Sequence, residues 1–476
     1  MSQLRSTEDR SIDDCVHGFI PIGRLANLII DTKYFDRTKE IHQTGMAKIV
    51  YPCAEHSRKT HMLGTFFLSL CVLEKLVKSQ PNLKINKTDI LCVSIAALCH
   101  DIGHGPYSHL YDGPFMNAVN KESNFKHEIA SVEILKKLFQ DYPDIKAEFD
   151  EYLEEKDYTF IYECINPKFP FMVDGKWLLK GRGKDKSFLY DIVSNVHTGI
   201  DVDRFDYFLR DSFFCSIKGS QFDVDVLHRI IDYSRVVYDS KLGYNRIGYA
   251  FKVKNCINAV FETRKFLFET LYFHKTCLSY EHILLKAWIE ADKYLEFKTK
   301  KGDKLKLSTL YKDWELYSLV TEHVVNALIQ FYPDDRLSKS RELLDRLRDR
   351  KLPKAVFYLQ DDKLDGMEEK FIKEWIMENS KENLDEEKLF VKIRRIHSGK
   401  GIHKNPMDDV LFYNHKDIKN NNIVDEGIAS KNKHKGTTEE LPGGKVDAYI
   451  YTDYGIDTCE RNAIIAAARQ FEETFF

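Results

Sequence analysis

Residues 98–115 read LCHDIGHGPYSHLYDGPF. His100, Asp101, His104 and His109 fall within a single run of ten residues, and Gly103 and Gly105 let the backbone turn sharply between them. Upstream, Ile90, Leu91, Val93, Ile95 and Leu98 carry a helical apolar pattern. A start at Thr88 or Asp89, both good N-cap types, predicts a helix ending at His100. The adjacent His-Asp pair then sits at a helix end. There an imidazole nitrogen and a carboxylate oxygen can converge on one cation that takes mixed N and O ligands. Any one of these histidines alone reads equally well as a core imidazole bonded to a backbone carbonyl; their concentration argues for more.

Working outward, Leu63, Phe66, Phe67, Leu70, Leu73 and Val77 recur at three- and four-residue intervals and predict a helix over 57–79, separated from the next by Pro81 and Asn82. His61 lies on that helix, and Asp203 lies in GIDVDRFDYFLRD, residues 199–211. With His100 and Asp101 they form an H…HD…D constellation, which resembles the signature of HD-domain phosphohydrolases. Asp203, Tyr207 and Asp211 are spaced by four, so ligation by the first aims the other two into the same cavity. Arg204 flanks this stripe and Arg58 lies one turn before His61; either guanidinium can clamp phosphate bidentately. In FETRKFLFETLYFHK, residues 261–275, Arg264, Phe268 and Tyr272 repeat the same spacing, a pattern that by itself is more often core than ligand contact.

Composition bounds the rest. The chain has 476 residues, 43% hydrophobic and 30% charged, which excludes disorder as the dominant state. Lys and Arg number 71 against 74 Asp and Glu, a net charge of -3, so no global field draws the chain to nucleic acid or anionic membrane. Ten scattered cysteines without a CxxC pair point to a reducing compartment, cytoplasmic or nuclear. The first twenty residues lack a signal-peptide core, and no apolar run reaches membrane-spanning length. The fold class predicted is mainly α: an HD-domain helical core with an N-terminal regulatory segment over 1–350, and a smaller mixed α/β lobe over 351–476. Strands are expected at 356–359, 410–413 and 447–452, an extended loop over 158–186, and a mobile polar loop within 419–445.

The chemistry suits a phosphate ester, whose hydrolysis needs an acidified water and neutralisation of developing charge, both supplied by a divalent cation. Ligand type does not choose among Fe, Mn, Zn and Mg. His104 and His127 read as imidazoles outside the ligand set, His109 as the acid for the leaving oxygen, and Asp112 as the carboxylate that orients it.

LCHDIGHGPYSHLYDGPF, KSFLYDIVSN, GIDVDRFDYFLRD and KNPMDDVLFY together resemble the animal sterile-alpha-motif and HD-domain dNTP triphosphohydrolases, most strongly over 43–211, with no segment matching the sterile-alpha-motif itself. The resemblance implies hydrolysis of a deoxynucleoside triphosphate to deoxynucleoside and triphosphate, with His61, His100, Asp101 and Asp203 on the metal. It implies phosphate contacts from Arg58, Arg204, Tyr207 and Arg264, with lysine usual at the Arg204 position. Gln43 and Asp211 would bond the sugar 3′-hydroxyl, and Tyr272 would crowd the 2′ position.

Thr44, Phe268 and Phe273 depart from the family's leucine, histidine and glutamine beside sugar and base, where a pocket discriminates through the polar groups it leaves unpaired. The family also forms a tetramer on binding GTP and dNTP activators between subunits. Asp31, Arg235 and Lys252 match that site, while Lys39, Asp36 and Ala250 replace arginine, glutamine and arginine. Such changes weaken a triphosphate site, so a constitutive homo-oligomer, dimer or tetramer, is expected. The rival reading is an HD enzyme acting on another nucleotide, or a nucleic-acid scaffold using KGRGKDK (180–186) and KTKKGDKLK (298–306).

Overall fold

Helix α1 (Arg58–Ser79) forms where the apolar spacing predicts it, directly after Ser57. It is long and apolar enough to cross a membrane by length and composition, but it is mostly buried inside the protein, so its apolarity is that of a core helix. The computed structural model describes residues 10–414, 424–425 and 444–476. Most of the expected 419–445 loop lies outside the described residues.

Helix α2 (Lys87–Cys99) begins earlier than expected, with Asn86 as its cap. Asn86 accepts the Asp89 N–H at 2.8 Å, and Asp89 accepts the Asn86 N–H at 3.1 Å. This reciprocal pair makes Asp89 the third residue of the first turn rather than the cap. The buried Asp89 carboxylate also takes Arg182 Nε at 2.8 Å and the Lys186 ammonium, while Arg182 pairs with Asp157 at 2.7 Å. Two cations of KGRGKDK are therefore internal braces.

The 158–186 stretch is more ordered than a loop. A helix over Glu155–Ile165 buries Tyr158, Phe160, Ile161, Cys164 and Ile165; a small hairpin pairs Met172–Val173 with Lys176–Trp177, and 3-10 turns start at Lys184. The Pro and Gly punctuation masked the apolar face of the short helix.

Helix α3 (His127–Asp141) lies beyond the turn that follows α2, and α4 (Val202–Phe214) packs against α1. The turn after α2 seats on the start of α3, where Gly103 N–H donates to Ser131 Oγ at 2.9 Å. A Cβ at Gly103 would fall 2.2 Å from the Ser131 nitrogen, so this turn admits only glycine. Helix α5 (Lys254–Leu267) runs into a π-helical turn, Phe268–Tyr272, which breaks the regular four-residue register expected there.

Strands β1 (Arg10–Asp14) and β2 (Gly18–Ile22) form an N-terminal hairpin, and β3 (Ser234–Asp239) and β4 (Tyr244–Ala250) a second one. The expected strand at 410–413 is confined to Phe412–Tyr413 and runs parallel to β4, joining the larger core's hairpin. The lobe sheet holds β5 (Lys354–Gln360), β6 (Leu389–His397) and β7 (Gly444–Thr452), antiparallel in the order β6-β7-β5, packed by helices α6 (Glu369–Asn379) and α7 (Thr458–Phe475). Strand β6 escaped the sequence reading because its lysine and arginines interrupt the apolar alternation. Leu359, Val391, Ile450 and Phe471 belong to this sheet's own core, separate from the helical one.

Gly64 lies almost one turn after His61, and a Cβ there would fall 1.8 Å from Asp206 Oδ1 and 2.6 Å from Arg210 Nη2. Alanine at 64 should break this fully buried ion pair, a disturbance on the order of 3–5 kcal/mol. Gly64→Ala is expected to lower the Tm by several degrees in thermal unfolding; an unchanged Tm would refute the tight α1–α4 packing.

Candidate metal centre and substrate cavity

His61 on α1, His100 and Asp101 after α2, and Asp203 on α4 meet at one point. His61 Nδ1 bonds Asp206 Oδ2 at 2.7 Å, and His100 Nδ1 bonds the Ala97 carbonyl at 2.9 Å. Carbonyl and carboxylate oxygens only accept, so both imidazoles carry the proton on Nδ1 and turn an Nε2 lone pair toward the same place. The two Nε2 atoms stand 3.3 Å apart. His61 Nε2 lies 3.0 Å from Asp203 Oδ1 and 3.6 Å from Asp101 Oδ2, and His100 Nε2 lies 3.5 Å from both Asp101 Oδ1 and Asp203 Oδ1.

Ligands about 2.0–2.2 Å from one ion, at angles of 90–110°, are about 3–3.5 Å from one another. The donor set fits a divalent cation.

A proton can stand in for that cation. Burial pushes His61 down, but hydrogen bonds to Asp203 and Asp206 outweigh it and raise the imidazole to about 9. His100 is raised as well, by Asp101 and Asp203 against burial. Enclosure pushes Asp203 up, yet His100 and His61 hold it below the usual carboxylate range. Arg58 completes the frame. Its Nη1 bonds Asp101 Oδ2 at 2.5 Å, its Nε bonds Ser108 Oγ at 2.9 Å and its Nη2 bonds the Gln43 carbonyl at 3.1 Å.

A second group of imidazoles lies beside the first. His104 and His127 stack with centroids 4.0 Å apart, and His104 Nε2 stands 3.4 Å from Asp101 Oδ1. Asp112, expected to orient His109, bonds His127 Nδ1 at 2.5 Å and lies 3.4 Å from His109 Nδ1, so it stands between the two rings and holds His127 more closely. Burial lowers His127, but Asp112 overrides it and raises the ring to about 9. Burial, Arg58 and His127 all drive His104 well below its ordinary value. The stacked pair is thus one charged and one neutral imidazole. His109 is exposed at the rim.

Tyr107 and Ser108, between the two groups, both adopt left-handed φ, 56° and 55°. Glu322 holds this strained turn: its Oε1 accepts the Tyr107 N–H at 3.1 Å and the His42 N–H at 2.9 Å, and Ser108 Oγ bonds the His42 carbonyl at 2.7 Å. Nothing in the sequence marks Glu322, which is far away in the chain.

The two groups open onto a cavity of about 830 Å³, and every residue expected to touch substrate lines it. Arg58, Arg204, Tyr207 and Arg264 are among them. Arg264 donates to the His397 carbonyl and stacks over Phe268 at 4.1 Å. Gln43, Asp211 and Tyr272 also line it, with Thr44, Phe268 and Phe273. Asp211 accepts from Tyr272 Oη at 2.5 Å and from His56 Nε2 at 2.6 Å. Sequence reading missed His56, Asp206 and the contribution of β6, which brings Lys392, Arg394 and Arg395 to the wall. Of these only Asp206 carried a signal, standing three residues after Asp203 on the same helix.

Residues 58–167 match the HD domain family, a segment holding three of the four metal-directed side chains. Deoxynucleoside triphosphate triphosphohydrolase SAMHD1 of Gallus gallus is 35% identical over 433 residues, covering 87% of this chain and 68% of that protein. The chain belongs to this triphosphohydrolase family. The Homo sapiens member is 37% identical over 358 residues, covering 74% of this chain and 56% of its own length. A putative HD domain-containing protein, L394, of Acanthamoeba polyphaga mimivirus is 28% identical over 492 residues and matches end to end, covering 100% of this chain and 97% of its own length.

Asp31, Lys39, Lys252 and Arg235, expected from the resemblance at an activator site, have partners or burial within the chain. Asp31 takes Arg10 Nη1 at 2.9 Å, and Lys39 pairs with Asp36 at 2.5 Å. Lys252 sits 3.5 Å over the Tyr233 ring, and Arg235, buried in β3, faces Gly248 of β4, two residues before the buried Ala250.

Because His61 is raised to about 9, it is protonated at pH 8 in the absence of a cation, and a metal must displace that proton. Adding Mn²⁺ to metal-free protein at pH 8 is expected to release roughly one to two protons per site, with affinity rising as pH increases toward 9. Calorimetry in buffers of different ionisation enthalpy measures this; binding without proton release would refute the His61 assignment.

Proposed function

We propose that the chain hydrolyses deoxynucleoside triphosphates to the deoxynucleoside and inorganic triphosphate. The observation that carries this reading is the single cavity that joins a metal-directed cluster, a charged and a neutral imidazole, a bank of cationic groups and the Asp211–Tyr272 acceptor pair. Its volume suits a ligand of nucleotide size. The names of the relatives support the reading.

In this reading His61, His100, Asp101 and Asp203 would hold a divalent cation, one of Fe, Mn, Zn or Mg, which would supply acidification of a water and neutralisation of charge on the α-phosphate. Charged His127 and neutral His104 flank that phosphate. Water adds at the α-phosphorus, the bond to the 5′-oxygen breaks, and His109, steadied by Asp112, delivers the proton to the departing oxygen. Arg204, Tyr207 and Arg264 hold the phosphate tail, while Arg58 acts on it from the metal side. Asp211 and Gln43 bond the sugar 3′-hydroxyl, and Tyr272, pinned by its bond to Asp211, closes the space a 2′-hydroxyl needs. Thr44, Phe268 and Phe273 face the base and set its tolerance.

Asp31, Lys39, Arg235 and Lys252 mark the place of a GTP or dNTP activator. With Lys39 neutralised by Asp36 and Asp31 by Arg10, this reading has the homo-oligomer, dimer or tetramer, form without a nucleotide trigger. Among the described residues the cysteines form no disulfide, which suits the reducing cytoplasm or nucleus.

The test is purified protein with Mn²⁺ or Mg²⁺, each dNTP and NTP in turn, with and without GTP, and products resolved by chromatography. Inorganic triphosphate from a dNTP is expected, with His109→Ala losing about 10²–10⁴-fold in kcat at little change in KM. Orthophosphate alone, or turnover of ribonucleotides only, would replace the dNTP reading with that of another nucleotide.

A further inference from the structure

Asp206 accepts four hydrogen bonds from three side chains, and one of those side chains belongs to the N-terminal hairpin. His61 Nδ1 donates to Oδ2 at 2.7 Å, and His17 Nε2 donates to Oδ1 at 2.7 Å across 189 residues of chain. Arg210 supplies the other two, Nε to Oδ2 at 2.9 Å and Nη2 to Oδ1 at 3.0 Å. The carboxylate is wholly buried, and the His17 side chain is only 4% exposed.

The β1–β2 turn is built to deliver His17 there. Asp14 Oδ1 accepts the N–H groups of Val16 and His17 at 3.0 and 2.9 Å, and Gly18 takes φ 71°, which closes the turn directly behind His17. Asp14 also receives Arg210 Nη1 at 2.8 Å and Nη2 at 3.2 Å. The hairpin therefore contributes a hydrogen bond to Asp206 and a negative charge beside Arg210.

Both contributions act on His61. Asp206 and Arg210 alone would form a neutral pair; Asp14 restores a net negative charge behind the imidazole, which strengthens Nε2 as an electron-pair donor. His17 fixes the plane of the Asp206 carboxylate and so the direction in which His61 points. Outer partners of this kind typically govern about 10–100-fold in metal affinity.

We propose that His17 is a positioning residue for His61, acting through Asp206, and that retention of the divalent cation depends on docking of the N-terminal hairpin. The proposal rests on the reading of His61, His100, Asp101 and Asp203 as a metal centre. The hairpin covers the outer face of that centre without lining the substrate cavity. Ile20 and Ile22 of the hairpin are buried in the helical core, so the docking of the hairpin and the orientation of His61 are set together.

The experiment uses the full chain loaded with Mn²⁺, cleared of excess ion and challenged with EDTA, with the remaining metal counted over time by mass spectrometry. His17→Phe is expected to lose Mn²⁺ about 10–100-fold faster than the unmodified chain. His17→Gln, whose amide can still donate, should recover part of the difference. Asp14→Asn keeps the turn-capping oxygen and removes the charge, and it should also release faster. Phe19→Ser, on the same hairpin at a side chain 72% exposed, should match the unmodified chain.

Circular dichroism and thermal melts of the metal-free forms report folding, and Asp14→Asn with His17→Gln decides the matter if His17→Phe does not fold. An unmodified chain that holds no stoichiometric Mn²⁺ would sink the metal centre itself. A chain that holds Mn²⁺ while His17→Phe, or failing that Asp14→Asn, releases it at the same rate would overturn the positioning role and leave the centre standing.

Discussion

Lone pairs from two imidazoles and two carboxylates cannot be enclosed together at separations of 3.0–3.6 Å unless positive charge sits among them. Much of the larger core is arranged around that electrostatic demand. Three of the four metal-directed side chains are fixed from behind by a group with one possible role: the Ala97 carbonyl behind His100, the Asp206 carboxylate behind His61, and the Arg58 guanidinium against Asp101. The first two leave Nε2 bare, and the third keeps Asp101 ionised. Gly64 and Gly103 are the steric counterpart, since a methyl group at either would push apart helices that must stay close for the four donors to meet.

The neighbouring imidazoles show how one fold sets two histidines to opposite charge states at contact distance. His127 has Asp112 at 2.5 Å and is held charged; His104 has only the more distant Asp101 edge, with Arg58 and His127 as cationic neighbours, and is held neutral. A positive ring stacked on a neutral one, both near the Asp101 carboxylate, gives a directed field. Asp112 is the pivot, because it touches His127 closely and the rim imidazole His109 more loosely.

The cavity also joins two separately packed cores. Helices supply the metal-directed end, and strand β6 of the lobe sheet supplies Lys392, Arg394 and Arg395. Arg394 is itself locked to buried Asp447 at 2.5 and 2.7 Å, so the lobe presents its charge from a rigid support. A polyanion seated against both units would bind them to each other, a physical reason for the lobe to belong to the site.

Helical spacing and a dense local motif, properties of short segments, made the helical core and the His100–Asp101 cluster legible in the sequence, whereas Gln43, Thr44 and Phe273 on the cavity wall came only from the family resemblance. Sequence reading misplaced the start of α2 and missed the helix at Glu155–Ile165 and strand β6, where capping reciprocity and packing outweigh composition. Tertiary structure alone decided that Asp112 serves His127 first, that two cations of KGRGKDK brace Asp89, and that Glu322, His56 and His17 reach the site. Those pairings join residues up to 280 positions apart, as Glu322 and His42 are. A hydrogen bond across such a span leaves no periodicity and no local spacing to read, since its partners become neighbours only when the chain has folded.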